Sequence, residues 1–120
     1  MAILLLATEQ AQAVRDGHKT VHRLPAAEAQ ALGASGLVGQ RLQLVEALPF
    51  GKTVAIGIAT VSSAQDVHLE DMDDSEIAAE GFASWALFSY HWDDRYGRKG
   101  LPAILNPPCV RLAFVLEPTP

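Results

Sequence analysis

The stretch GHKTVHR, Gly17 to Arg23, holds a lysine, a threonine, two histidines and an arginine, directly ahead of Leu24 and Pro25. Two of the chain's 9 Lys+Arg residues fall in it. A lysine such as Lys19 does chemistry only where a partly buried carboxylate pairs with it or where its ammonium is desolvated. His22 titrates near neutrality and can move protons, and Thr20 offers a hydroxyl. On an exposed edge strand the same residues would do no more than discourage edge-to-edge aggregation.

A second candidate is WDDRYGRK, where Arg95, Arg98 and Lys99 sit beside Trp92 and Tyr96. Cations next to aromatic rings suit the phosphate and the base of a nucleotide together. Trp85, Phe88, Trp92 and Tyr96 also recur at spacings of three or four, which marks them as one apolar helix face. Other chemistries lack their residues. A phosphate loop ending in the Gly51-Lys52-Thr53 of FGKT needs a glycine where Glu46 stands, so FGKT reads as a hairpin turn. His18 and His22 lie around a predicted strand, not on one helix, so they make no helical zinc pair. The run Asp71, Asp73, Asp74 lacks the glycine and distal glutamate of a calcium loop and reads as a capped helix start. There is no Gly-x-Ser-x-Gly elbow, and Cys109 reads as a small buried hydrophobe. Neither a metal nor a cofactor is expected.

These side chains must be positioned by one domain spanning residues 1–120. A chain of that length buries roughly two-thirds of the surface its unfolded form exposes. Its 49% hydrophobic and 19% charged residues place it among globular sequences. The formal net charge of -5 argues against coating nucleic acid or an anionic membrane, which needs a broad positive field. A lone cysteine gives no intrachain disulfide, and MAILLLATEQ has no basic residue ahead of its apolar run. The expectation is therefore a cytoplasmic protein with no leader and no membrane span.

Strands are predicted at Ile3 to Leu6, over KTVHRL, over VGQRLQLVEAL, over TVAIGIATVSSA and over CVRLAFVLEP. Helices are predicted over TEQAQAVRDG with Thr8 as its cap, over Ala26 to Leu32 ending at Gly33, and after Asp74 or Ser75. A fourth helix follows Ser84. Gly57 inside a strand predicts a bulge or bend that lets a sheet curl. The order β-α-β-α-β-β-α-α-β implies an α+β fold, a small barrel-like sheet with peripheral helices.

The N-terminal strand and helix leading to Gly17-His18-Lys19-Thr20-Val21, the VGQRLQL strand, the helix pair with AAEGFASW and the closing RLAFVLE strand together resemble the ASCH domain family. Its fold is similar to the PUA RNA-binding domain. The resemblance runs from Ile3 to Glu117. It implies a PUA-like β-barrel whose Gly-x-Lys motif faces the Glu-Gly-Phe helix across a cleft, and it implies RNA or nucleotide binding. Some members are ribonucleases, and one branch hydrolyses the acetyl amide of N4-acetylcytidine with a lysine, a threonine and a glutamate. The lysine matches Lys19 and the glutamate matches Glu80. That branch has its threonine three residues after the lysine, where this chain has His22, and an arginine five residues after it, where this chain has Leu24. Arg23 stands one place early, and in a strand one place means the opposite face.

The resulting expectation is a binding module for RNA or a nucleotide, with a ligand set of Lys19, His22, Arg23, Trp85, Arg95, Arg98 and Lys99. The alternative is a hydrolase of an acylated nucleoside or of RNA, with Glu80 as base, Lys19 as its charge partner, and Thr20 or His22 in the remaining role. A third alternative is a protein-interaction domain that meets a basic partner through the acidic face from Asp66 to Glu80.

Overall fold

The computed structural model describes residues 1–118. The chain runs β1 (Ala2–Leu6), α1 (Thr8–Arg15), β2 (Val21–Pro25), α2 (Ala26–Leu32), β3 (Arg41–Ala47), β4 (Thr53–His68), α3 (Asp74–Ala79), α4 (Trp85–Tyr96) and β5 (Pro108–Leu116). This is the order expected from the sequence. The strands form one five-stranded sheet in the order β1-β3-β4-β5-β2, with β1 parallel to β3 and every other pair antiparallel. The sheet curls into a half-barrel with four helices packed around it.

The curl has a local origin in β4, which spans 16 residues and pairs with β3 along its first half and with β5 along its second. Two register shifts interrupt it, opposite Leu44/Val45 and between Val61 and Ser63. Each leaves one extra residue on β4, Ile56 and Ser62, and such bulges bend a strand and increase its twist. Gly57 sits beside the first, where a Cβ would come 3.2 Å from Leu116 Cδ1. The strand also runs on to His68, four residues past the stretch TVAIGIATVSSA expected from the sequence, because β5 continues pairing as far as His68 opposite Pro108.

Alternation along the strands builds two cores, one on each side of the sheet. Leu4, Leu6, Leu24, Leu42, Leu44, Val61, Leu112 and Phe114 pack with Ala11 and Val14 of α1 and Ala29 of α2. On the other side Cys109 and Leu69 pack with Phe88, Trp92 and Tyr96 of α4, whose rings follow one another at centroid distances of 6.2 and 4.5 Å. The aromatic stripe is thus core. β2 is an edge in its hydrogen bonding, yet all five of its residues are buried. It is a covered edge, not an exposed one.

Two caps differ from expectation. Ala7, not Thr8, precedes α1, and no side chain caps that helix. The cap of α3 is Asp73, whose side chain accepts from Glu76 N at 2.9 Å. Ser84 caps α4 as expected, accepting from Leu87 N at 3.2 Å. Because α3 is only 6 residues long, its orientation leans on that cap. Replacing Asp73 with alanine is expected to lower the urea midpoint of unfolding, because Glu76 N loses its acceptor. Amide exchange at Glu76 and Ile77 should accelerate with it, as measured by urea denaturation and hydrogen exchange.

Candidate functional site

The residues around Lys19 are placed by two turns that face each other. At the end of α1, Gly17 takes φ 77°, a left-handed conformation that favours glycine. Both His18 N and Lys19 N then donate to Ala13 O, at 2.9 and 3.1 Å, and the chain turns inward. At the end of α3, Gly81 takes φ 97°. A Cβ there would lie 2.7 Å from Ala13 Cβ and 3.5 Å from Lys19 Cβ, so only glycine lets the two turns meet. Thr20 links them to the sheet through its backbone, donating to Ala79 O at 2.8 Å and accepting from Phe114 N at 3.0 Å.

Between these turns Lys19 and Glu80 meet. Lys19 Nζ donates to Val21 O at 2.8 Å, Glu80 O at 2.9 Å and Glu80 Oε1 at 3.0 Å, which uses all three ammonium protons. Arg23 NH1 donates to Glu80 Oε2 at 3.0 Å, and its NH2 to Glu76 Oε1 at 2.6 Å. Arg111, directly opposite Arg23 on β5, grips Glu76 through Nε at 2.6 Å and NH2 at 3.1 Å. The result is a line of charges, Lys19, Glu80, Arg23, Glu76 and Arg111. The side chains of Lys19, Glu80 and Arg23 are 0–1% exposed, and that of Glu76 is 24% exposed.

The electrostatics follow from that burial. Burial pushes the Lys19 pKa below the ordinary lysine value, against the opposing pull of the Glu80 carboxylate. Burial also works against the Arg23 guanidinium, but its bonds to Glu76 and Glu80 hold its pKa above normal. Hydrogen bonds from Arg111, ahead of those from Arg23, hold the Glu76 carboxyl below the usual range. A buried ion cluster of this kind offsets a desolvation cost of several kcal/mol per ion through its matched donors and acceptors, and among the described residues Arg23 Nε is the one buried polar atom of the cluster left without a partner.

His22 lies on the opposite face of β2 from Arg23, as strand alternation requires. Its Nδ1 is 3.5 Å from Gln10 Nε2. Burial, reinforced by the positive charges of Lys19 and Arg95, pushes its pKa well below the ordinary histidine value.

Lys19, His22 and Arg23 do not line an open cleft: they are 3%, 4% and 3% exposed. The structure brings Lys19, Arg23 and Glu80 into one cluster and sets the other candidates apart. The Thr20 side chain is exposed. Trp85 is half-buried against the Phe88 ring and borders a separate hollow with Glu70, Met72, Asp74 and Ile77. Arg95 and Lys99 flank the Tyr96 ring at 5.6 and 5.9 Å, Lys99 reaches Glu28 at 3.8 Å, and Arg98 is exposed on the turn after α4. Among the described residues no group of three or more His, Cys, Asp or Glu side chains is placed to hold a metal ion. No helix among them is long and apolar enough to cross a membrane.

What opens to solvent beside the cluster is a hollow of about 410 Å³, bordered by His18, Ala78, Gly81, Phe82 and Ala83. It lies where the Gly17-His18-Lys19 turn meets the Glu80-Gly81-Phe82 turn. Sequence reasoning missed Glu76, Arg111, Gln10, His91 and Phe82. Glu76 had a signal, since it stands one helical turn before Glu80 on the same face. Arg111 becomes a neighbour only through the pairing of β2 with β5.

No protein-family model matches the sequence, and no curated protein matches it. Solved structures do. An ASCH domain from Lactobacillus crispatus aligns with a TM-score of 0.68 at 18% identity, over 89% of this chain and 69% of that one. A protein from Enterococcus faecalis carrying the DUF984 family model aligns with a TM-score of 0.68 at 12% identity, over 98% of this chain and 76% of that one. An ASCH protein from Zymomonas mobilis gives 0.55 at 17% identity, over 95% and 66%. Likeness at such low identity establishes the fold: this chain has the α+β, PUA-like architecture of ASCH domains.

The lowered pKa of His22 sets a pH dependence. The unfolded chain protonates this histidine below its ordinary value of 6.5, whereas the folded chain resists. Stability is therefore complete above pH 6.5 and falls as the pH drops toward the folded value, by up to about 1.4 kcal/mol per pH unit for one proton. Denaturation followed from pH 7.5 to 5 should show this loss, and His22→Phe should remove its larger share and leave that of His91, whose pKa burial also lowers.

Proposed function

We propose that this ASCH-fold chain is a binding module for one nucleobase of an RNA segment or of a free nucleotide, held in the hollow beside His18 and Phe82. The observation that carries the reading is the position of that hollow between the two glycine-dependent turns, with the buried Lys19, Glu80 and Arg23 cluster directly behind it. Its volume of about 410 Å³ falls within the range of small-molecule sites. His18 and the half-buried Phe82 offer flat rings on which a base stacks without regard to sequence.

Charge supports a small ligand over a long nucleic acid. The cluster joins three cations to two carboxylates and so leaves one positive charge near the hollow, while the chain as a whole carries -5. That field favours one phosphate and repels an extended backbone. Hydrolysis has less support. Both Glu80 oxygens already accept from buried cations, and Thr20 is an exposed residue outside the cluster. The pair has the geometry of a brace and lacks the open side that a general base needs.

Titration with nucleosides, mononucleotides and short single-stranded RNA at two salt concentrations tests this. Binding is expected with a salt dependence of about one or two phosphates. Phe82→Ala should weaken it at least fivefold, since stacking of one base contributes about 1–3 kcal/mol. No binding by any of the three ligand classes contradicts the reading. Turnover of an acylated nucleoside or of RNA that is lost in Glu80→Gln would replace it with a hydrolase.

A further inference from the structure

Three buried side-chain atoms have no hydrogen-bond partner among the described residues: Arg23 Nε, Gln10 Oε1 and His91 Nε2. Arg23 belongs to the ion cluster. The other two lie on α1 and α4, and nine or more of every ten such atoms in proteins are partnered. The His91 side chain packs on Phe82, which borders the hollow, and Gln10 stands one helical turn from Ala13, which touches Gly81 of the same border. Gln10 is 4% exposed and directs its amide nitrogen toward His22 Nδ1 at 3.5 Å, which leaves its carbonyl oxygen unmatched. One turn further along the same face of α1 is Ala13, against which Gly81 is pressed. The His91 ring lies 5.3 Å from that of Phe82, tilted by 44°. Phe82 thus touches the hollow and His91 at once.

The chemistry of the two unmatched atoms is specific. Gln10 Oε1 can only accept. Burial pushes the His91 pKa below normal, which favours the neutral ring, whose Nε2 donates or accepts according to tautomer. A carboxylate or phosphate offers no donor to the Gln10 oxygen. The edge of a nucleobase offers a donor and an acceptor side by side, as an amide in uracil or an amidine in cytosine and adenine. We propose that Gln10 and His91 form the polar wall that reads this edge of a base stacked on Phe82. This rests on the nucleobase reading above and adds the residues that select the ligand. Phe82 is half-buried and stands between the hollow and His91.

Gln10→Leu and His91→Phe remove the unmatched atoms while keeping side-chain bulk, and the ring stacking against Phe82 in the second case. The free variants are melted, then titrated with uridine, cytidine and adenosine. The wild-type protein is titrated also with 3-methyluridine, whose donor is blocked. The free His91→Phe variant should melt about 2–4 °C higher, because an unpartnered buried polar atom destabilises the folded state, whereas Gln10→Leu also takes the partner from His22 Nδ1 and should melt within about 2 °C of the wild type. Each should bind nucleosides about tenfold more weakly, and the wild type should prefer uridine to its methylated form by a similar factor. Unchanged nucleoside affinity in both variants overturns the proposal, whether their melting temperature rises or falls; a fall would mark the atoms as bridged by structural water. A wild-type protein that binds no nucleoside overturns the nucleobase reading and this wall with it.

Discussion

The fold of this chain is arranged around one carboxylate. Glu80 sits at the end of a helix of 6 residues and receives a buried ammonium on one oxygen and a buried guanidinium on the other. None of the three groups is stable inside the protein alone, since an isolated buried ion costs several kcal/mol. Together they leave little freedom. The start of β2, the end of α3 and the carbonyl of Val21 must all stand within hydrogen-bond reach of one ammonium. The hollow beside His18 and Phe82 is what remains when the two turns are held in that relation.

The scaffold serves that constraint at several levels. Gly17 and Gly81 supply left-handed backbone where each helix ends, and the missing Cβ of Gly81 admits Ala13 and the Lys19 stem. Asp73 fixes the start of α3, so that Glu76 and Glu80 fall on one face toward β2 and β5. Two bulges in β4 turn a long strand around the first core, while the stacked rings of α4 hold the second core against the opposite side. The sheet can then present Arg23 and Arg111 on one face and His22 with Leu24 on the other.

The element order was legible because breakers mark it: Gly17, Pro25, Gly33 and the Pro107-Pro108 pair all stand at or beside element boundaries. The length of β4 was not, since the apolar and β-branched run stops at Ala64 and its last four residues are held extended by pairing with β5. The meeting of Lys19 with Glu80 could be anticipated only through the resemblance to ASCH domains, because nothing local links residues 61 positions apart. Arg23, read as cleft lining, lies inside because Glu76 and Glu80 neutralise it there. Grouping it with Arg95, Arg98 and Lys99 failed to allow for the covering of β2 on both faces. Gln10 and His91 gave no sequence signal, since an unmatched polar atom is a property of packing.

The central claim is that Lys19 and Glu80 act as one buried unit that fixes the two turns. A double-mutant cycle of Lys19→Met and Glu80→Gln, followed by denaturant unfolding, tests it most directly. Glu80→Gln should cost about 3–5 kcal/mol, as it leaves Lys19 and Arg23 facing a neutral group. Lys19→Met should cost less, because Arg23 still pairs with the carboxylate. The double variant should recover about 1–3 kcal/mol relative to the sum of the two. Costs that add to within about 0.5 kcal/mol, or a Glu80→Gln effect below about 1 kcal/mol, would contradict the account.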